Sequence, residues 1–365
     1  MYKFRREKLL SHMKEHGVEM AIITSNINIY YFTGYYSNPR ERLTALILDA
    51  SGESTLLVPS LDRLAGELAD VRKVLDYQDH EDPFVIIQSL LKSSKVALEE
   101  NQFSLHRFKK LSEHVSPIES TDIGPWIDSI RKIKDADEIE KVKQAIDITE
   151  EALEYGISLV SPKITEKDLA LEIEYKMKKL GAQKLGFDVK VISGKRSALP
   201  HGKPGTLPIE ENAFVLFDMG VSVGGYIADI SRTVVLGEPT EKMIHIYETV
   251  REALEKAINA VKPGVVISDL DRIAREHIEQ QGFGQYFIHR LGHGLGLDLH
   301  EYPSIHANNS DKLEQGMVFT IEPGIYIPEI GGVRIEDDVL VTENGVEVLT
   351  KADKRLRVIG GNQSK

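Results

Sequence analysis

The chain has 365 residues, 41% of them hydrophobic, a formal net charge of −12 and no cysteine. Its length suggests two or three domains, and its acidity argues against sequence-independent nucleic-acid binding, which depends on Lys and Arg neutralising phosphates. The lack of cysteine excludes disulfides, zinc fingers, iron–sulfur ligation and thiol nucleophiles, so any metal must be held by oxygen and imidazole.

Met1 to Gly17 is charged throughout and lacks the apolar core of a secretory signal. No apolar stretch approaches transmembrane length, so a cytoplasmic protein with no membrane or nucleic-acid partner is expected. Phe4 to His16 reads as an amphipathic helix with Leu9, Leu10 and Met13 on one face. Strands are predicted over Glu19 to Thr24, Thr44 to Leu48, Ser54 to Pro59, Val71 to Tyr77 and Val96 to Glu99, with helical patterns between them. Residues 1–122 are therefore assigned to an α/β N-terminal domain. The texture changes near Gly124-Pro125-Trp126, and residues 123–134 are assigned to a linker, with the lone Trp126 as a packing residue. A second domain, α+β, is placed over 135–358, opening with a long charged helix from about Asp135 to Leu159.

This second domain repeats itself. Glu151-Ala152-Leu153-Glu154 recurs as Glu252-Ala253-Leu254-Glu255, Pro162 as Pro263, Asp168-Leu169 as Asp269-Leu270 and Gly181 as Gly282, all at one offset of 101 residues. Each copy reads as helix, Pro-containing turn, helix and Gly stop, followed by a hairpin. The first hairpin is Ala213 to Val221 with Tyr226 to Leu236, and the second is Met317 to Ile327 with Val333 to Val341. Two such copies pack about a pseudo-twofold axis, with corresponding strands side by side.

The hairpins carry carboxylates at mirrored places. Asp218 ends the apolar run Ala213-Phe214-Val215-Leu216-Phe217, which reads as a strand buried on both faces. Asp229 stands on the returning strand. A turn centred between Val223 and Gly224 makes the two directly opposed; a turn centred on Gly224-Gly225 makes them diagonal neighbours on one face. Glu322 and Glu336 have their midpoint at Glu329, inside the second turn, and Arg334 shares the face of Glu336. Any one of these acids alone reads as part of a salt-bridged hairpin. Four at mirrored positions imply a shared cation or proton, because like charges about 5 Å apart destabilise a strand pair.

His293 sits in the Gly-rich stretch Leu291-Gly292-His293-Gly294-Leu295-Gly296, which makes it a ligand candidate. His201, in the loop Leu199-Pro200-His201-Gly202, and His300 are further candidates, whereas His245, His277, His289 and His306 read as solvated or packed. Two divalent ions balance four carboxylates with a neutral imidazole, and one ion leaves a large negative excess. An oxygen-rich set with one imidazole suits manganese, cobalt(II), iron(II) or zinc, and the residues alone do not choose among them.

The motifs Phe217-Asp218-Met219-Gly220, Ala228-Asp229-Ile230-Ser231-Arg232-Thr233, Gly292-His293-Gly294-Leu295-Gly296, Ile321-Glu322-Pro323-Gly324 and Arg334-Ile335-Glu336-Asp337 resemble the series of the pita-bread metallopeptidases, a family that includes methionine aminopeptidase, aminopeptidase P, prolidase and creatinase. The resemblance covers about residues 130–358, and residues 1–122 resemble the N-terminal domain of prolidases, aminopeptidases P and creatinases. It implies that Asp218 chelates one metal, that His293 and Glu322 bind the other, and that Asp229 and Glu336 bridge both. It also implies that His201 and His300 contact substrate and that Arg334 lies beside the metals. Methionine aminopeptidases usually lack such an N-terminal domain, and creatinases lack the complete metal set. The resemblance therefore points to cleavage before proline, in Xaa-Pro dipeptides as in bacterial prolidases, which Tyr30-Tyr31-Phe32-Thr33-Gly34 and Asn38-Pro39-Arg40-Glu41-Arg42 resemble, or in longer peptides as in aminopeptidase P. Glu322 is the expected proton shuttle, with His300 or His201 stabilising developing charge. A homodimer is implied, with Tyr35 to Arg42 reaching over the partner's site. A non-enzymatic pita-bread binding module and a metal-free amidinohydrolase of the creatinase type are the competing readings.

Overall fold

The structure is a computed structural model describing residues 1–93, 95–116 and 118–360. The chain divides into two compact units between Arg131 and Lys132.

The first unit is built on strands β1 (Met20–Ile23), β2 (Ala45–Asp49), β3 (Ser54–Pro59), β4 (Lys73–Tyr77), β5 (Lys95–Leu98) and β6 (Glu119–Asp122). They form one mixed sheet in the order β4-β3-β2-β1-β5-β6. The central strands β1 and β2 are buried at every position, as their apolar runs require. Strand β6, Glu-Ser-Thr-Asp, is exposed throughout and has no apolar residue to announce it; it pairs at the sheet edge in parallel with β5. The first helix, Tyr2–Glu15, buries Leu9 and Met13 together with Arg5 and Arg6. Those arginines donate to the carbonyls of Tyr31 (3.1 Å) and Phe32 (2.5 Å) near the end of helix Asn26–Thr33, where backbone acceptors lack helical partners. Residues 124–131, assigned from sequence to the linker, form a helix of the first unit that buries Ile127 and Ile130. Trp126 stacks on His12 with centroids 5.9 Å apart, a packing role.

The second unit shows the duplication. Helix Ala136–Leu159 opens with a capping box between Asp135 and Glu138 and is followed by Glu166–Lys179. Helices Glu241–Asn259 and Ile267–Gln280 repeat the pair. Gly181 (φ 100°) and Gly282 (φ 84°) follow the second helix of each copy in the left-handed region, where a Cβ is strained. The second helical pair packs against apolar residues of the second hairpin, including Phe319, Ile321, Ile325, Val333 and Val339.

The strands that follow the first helical pair are β7 (Lys184–Leu185), β8 (Lys190–Ser193), β9 (Ala213–Met219), β10 (Val221–Val223), β11 (Tyr226–Ile227) and β12 (Ile230–Leu236). Those after the second are β13 (Gly292–Gly294), β14 (Glu301–Ile305), β15 (Val318–Ile321), β16 (Gly324–Ile327), β17 (Gly331–Arg334), β18 (Asp337–Val341), β19 (Val346–Val348) and β20 (Val358–Ile359). Each predicted hairpin is thus a ladder interrupted once. In the first, Val223 faces Tyr226 across Gly224 (φ 56°) and Gly225 (φ 86°), the two left-handed positions of a tight hairpin turn. The same register places Ser231 opposite Asp218. In the second, Ile327 faces Gly331, Gly324 faces Arg334 and Ile321 faces Asp337. The hairpins meet through β12: Ser231 Oγ donates to Glu336 Oε2 (2.6 Å), and Thr233 Oγ1 donates to the Arg334 carbonyl (3.0 Å).

Candidate metal centre

All seven residues of β9 are buried, so Asp218 enters a dry environment at the end of an apolar strand. The register with β12 settles the alternatives left by the sequence. With the turn centred on Gly224-Gly225, Asp229 lies two residues before the partner of Asp218, making the pair diagonal on one face. Gly220 is required between them: a Cβ there would lie 1.8 Å from the Ala228 carbonyl oxygen. In the second hairpin the register extends to put Glu322 opposite Glu336.

His293 occupies the middle of β13, between β14 and β15. The flanking glycines allow this. A Cβ on Gly292 would meet the Thr320 carbonyl oxygen at 1.9 Å, and one on Gly294 the Tyr302 carbonyl oxygen at 2.4 Å. His293 Nδ1–H donates to the Gly294 carbonyl (3.2 Å). A carbonyl only accepts, so this bond fixes the tautomer and leaves Nε2 with a lone pair. Nε2 faces Glu322 Oε1 at 3.3 Å and Asp229 Oδ2 at 3.6 Å. Acceptors facing acceptors in a buried site require a cation or a proton between them.

The electrostatics agree. Burial, then Glu336 and Asp218, raises the Asp229 carboxyl well above its ordinary range. Burial and Glu336 do the same to Glu322. Glu336 is pushed up to about 7 by burial and Asp218. Burial, with His300 next, lowers His293 to about 3, so its imidazole is neutral. Asp229, His293 and Glu336 each offer a ligand atom within 4.8 Å of the others. Asp229 Oδ1 and Glu336 Oε1 are buried without a hydrogen-bond partner among the described residues. These features fit a divalent cation: unpartnered oxygens, a correctly oriented imidazole, and carboxylates that otherwise retain protons. Asp218 differs. Its Oδ2 accepts from Arg334 Nη2 and from Lys190 Nζ (2.7 Å).

The centre opens into a cavity of about 900 Å³. All eight residues proposed from the sequence line it: the five candidate ligands, and His201, His300 and Arg334 around them.

 The His300 ring stands edge-on to His293, with centroids 4.2 Å apart. Burial, then Arg290, lowers the His300 pKa. His201 is exposed at the cavity wall beside Leu199 and Pro200. Arg334 is buried and held by Ser231 Oγ (2.8 Å) and Tyr326 OH (2.9 Å).

One histidine must be reassigned. His289, read from sequence as solvated or packed, lines the cavity. Its Nδ1–H donates to the Arg290 carbonyl (2.7 Å), and its Nε2 accepts from Tyr326 OH (2.9 Å). His245, His277 and His306 are not part of the cavity lining. Sequence reasoning also missed Lys190, Ser231, Thr320 and Tyr326. Thr320 Oγ1 accepts from the His293 backbone N–H (3.1 Å) and donates to Glu322 Oε1 (3.3 Å). Ser231 stands inside a recognised motif and could have been noticed there; a lysine or tyrosine outside the motifs carries no comparable signal.

Residues 140–343 match metallopeptidase family M24, and residues 5–133 match the Creatinase/Prolidase N-terminal domain. The chain belongs to metallopeptidase family M24. Its fold is accordingly the expected one, a creatinase-type N-terminal domain followed by a pita-bread catalytic domain. An uncharacterized peptidase of Staphylococcus haemolyticus (strain JCSC1435) is 41% identical over 354 residues, spanning 95% of this chain and 99% of the relative. Among solved structures, a prolidase from Pyrococcus furiosus is 39% identical, with a TM-score of 0.87 over 94% of this chain and 99% of that one. A Xaa-Pro dipeptidase from Bacillus anthracis is 32% identical, with a TM-score of 0.92 over 98% and 100%. An X-Pro aminopeptidase from Thermotoga maritima MSB8 is 34% identical, with a TM-score of 0.88 over 97% and 99%. Membership of M24 implies divalent metal ions and makes the protein a metal-dependent peptidase.

Proposed function

We propose that the protein is a dinuclear metallopeptidase that hydrolyses the bond preceding proline in Xaa-Pro dipeptides. The observation that carries the dinuclear reading is the set of four carboxylates gathered round a neutral His293 whose Nε2 faces two of them. The donor set, four carboxylates and one imidazole, has enough ligands for two divalent ions, with manganese our choice and cobalt(II) or zinc the alternatives. In this reading Asp218, Asp229, His293, Glu322 and Glu336 would hold the ions, with Asp218 on one side of the centre and His293 and Glu322 on the other. Such ions lower the pKa of water and polarise a carbonyl.

The chain's own residues would do the rest. Glu322, with its raised pKa and its contact to Thr320, accepts and returns a proton during bond cleavage. His300 and His201 at the cavity wall donate N–H groups to the oxygen on which charge develops. Arg334, fixed by Ser231 and Tyr326, keeps the Asp218 carboxylate in place.

The dipeptide preference draws support from the prolidase and dipeptidase similarities. The comparable similarity to an X-Pro aminopeptidase sustains a second reading, release of the N-terminal residue from longer X-Pro peptides. The test is hydrolysis of Ala-Pro, Gly-Pro, an X-Pro tripeptide and creatine by chelator-treated protein, with and without added Mn²⁺. Dipeptide cleavage restored by Mn²⁺ is expected. Tripeptide preference selects the aminopeptidase, creatine turnover without metal selects an amidinohydrolase, and no turnover of any substrate selects a binding role.

A further inference from the structure

The two halves of the centre are prepared differently. Around His293, the facing groups Asp229, Glu322 and Glu336 present acceptors, and two of their oxygens have no partner among the described residues. Around Asp218, two cations are already in place. Lys190 on β8 and Ser231 on β12 stand directly opposite Asp218 on β9, so the three form one row across the sheet. Directly opposed residues have Cβ atoms about 5 Å apart. Backbone pairing therefore tethers the Lys190 stem beside Asp218, and its ammonium reaches Oδ2 at 2.7 Å.

The two cations on Asp218 are not equivalent. Arg334 is buried and pinned by Ser231 and Tyr326. Lys190 has a 24% exposed side chain. Its ammonium also lies over the face of Phe187, 5.2 Å from the ring centroid. A flexible stem at the cavity wall lets the ammonium swing aside, whereas the planar, pinned guanidinium stays. A divalent ion arriving at Asp218 must displace Lys190 or bind next to its positive charge. Among the described residues no lysine or arginine forms an ion pair with Asp229 or Glu322, the carboxylates that His293 faces.

We propose that Lys190 is a built-in competitor for the metal position beside Asp218, so that its ammonium weakens binding of the ion there. This rests on the dinuclear reading above. Before that ion binds, Lys190 and Arg334 keep the Asp218 carboxylate paired, so there is no uncompensated buried charge at that position.

The test is calorimetric titration of chelator-stripped, full-length protein with MnCl₂, comparing wild type with Lys190→Met, Lys190→Gln and Lys190→Arg. Electron paramagnetic resonance of the same samples reads the coupling between paired Mn²⁺ ions. Wild type is expected to take up two ions. Lys190→Met and Lys190→Gln should tighten one dissociation constant by about tenfold or more and leave the other within about threefold, because a nearby unit charge acts on a divalent ion at short range. The coupled signal should then appear at lower Mn²⁺. Lys190→Arg, which keeps the charge, should remain near wild type. Two ions bound with both constants unchanged in both neutral variants would overturn the role of Lys190 and leave the dinuclear reading standing. An arginine variant that behaves like the neutral ones would likewise overturn it. One Mn²⁺ per chain in all four proteins would overturn the dinuclear reading, and the proposal with it.

Discussion

Replacing Arg232 with Met tests what joins the two hairpins behind the metal centre. The Arg232 side chain is 2% exposed. It donates to the Ser231 carbonyl (2.9 Å), the Glu336 carbonyl, Asp337 Oδ1 (2.8 Å) and the Ala352 carbonyl (2.9 Å). One guanidinium thus ties β12 to the start of β18 and to the segment after β19. Methionine keeps the stem volume and removes every donor. Breaking a buried ion pair by removing one partner costs about 3–5 kcal/mol. Here Lys354 (2.7 Å) and Thr350 (2.7 Å) still satisfy Asp337, which places that loss near about 3 kcal/mol. The stranded carbonyls add about 1 kcal/mol. In a unit of this size 1 kcal/mol shifts Tm by about 2–4 °C, so a fall of roughly 8–15 °C is expected. Differential scanning calorimetry of the metal-free protein measures it, and the transition of the catalytic unit is the one that should move. Asp337→Asn added to Arg232→Met should cost less than the sum of the two single changes, because the pair is coupled. A fall of less than about 3 °C, or strict additivity, would refute this account of Arg232.

Three other outcomes are expected. Glu322→Gln should lower kcat by at least about a hundredfold while circular dichroism and metal-free Tm stay near wild type; wild-type turnover would remove its proton role. Mn²⁺ at about a hundred times its dissociation constant should stabilise the protein by about 2.7 kcal/mol and raise Tm by several degrees over chelator-treated protein, and an unmoved Tm would count against the metal centre. His289 is held near 4, mainly by burial and despite its bond to the Arg290 carbonyl, against 6.5 when unfolded. Its folded pKa is depressed, so its stabilising contribution is complete above about pH 6.5 and is lost as pH falls towards 4, to about 2–3 kcal/mol. Urea unfolding at pH 7 and pH 4.5 should therefore show the stability gap between wild type and His289→Gln shifting by that amount in favour of the variant at low pH. An equal pH dependence in both proteins would refute the assignment.

The parts of this architecture legible in the sequence are those set by local pattern. The run Ala213 to Phe217 reads as a buried strand, and the long charged helix placed from about Asp135 to Leu159 is the helix Ala136–Leu159. The repeat offset anticipated two helical pairs and two hairpins. Hairpin midpoints narrowed the carboxylate geometry to two registers for Asp218 and Asp229, and the left-handed pair Gly224-Gly225 selects the diagonal one. What stayed hidden depends on contacts distant in sequence. Lys190 gains its place only through the pairing of β8 with β9, and Tyr326 only by meeting Arg334 and His289. Strand β6 has no apolar side chain because it lies exposed at a sheet edge, where backbone pairing alone defines it.

The interruptions in the hairpins follow from the same long-range contacts. In the first, pairing stops after Met219 with Ile230 and resumes at Ser222 with Ile227. In the second, it stops after Ile321 with Asp337 and resumes at Gly324 with Arg334. The gaps contain Asp229, Glu322 and Glu336. Pro323 has no N–H to donate, and Gly220 admits the Ala228 carbonyl at a distance no side chain tolerates. A broken ladder frees backbone N–H groups, and buried ones must find other acceptors. Asp229 N–H donates to Asp338 Oδ2 (3.2 Å) in the opposite hairpin, and Glu336 N–H donates to the Ser231 carbonyl (3.1 Å) in the first. Glu322 N–H donates to the Leu291 carbonyl (2.8 Å), two residues before His293. Each of these three acids therefore exchanges a bond within its own hairpin for one to another part of the centre. Regular ladders would have kept the two repeats independent and left the spacing of the carboxylates to side-chain rotamers. The breaks instead fix that spacing through the backbone, which is how two imperfect hairpins hold four like charges in one place.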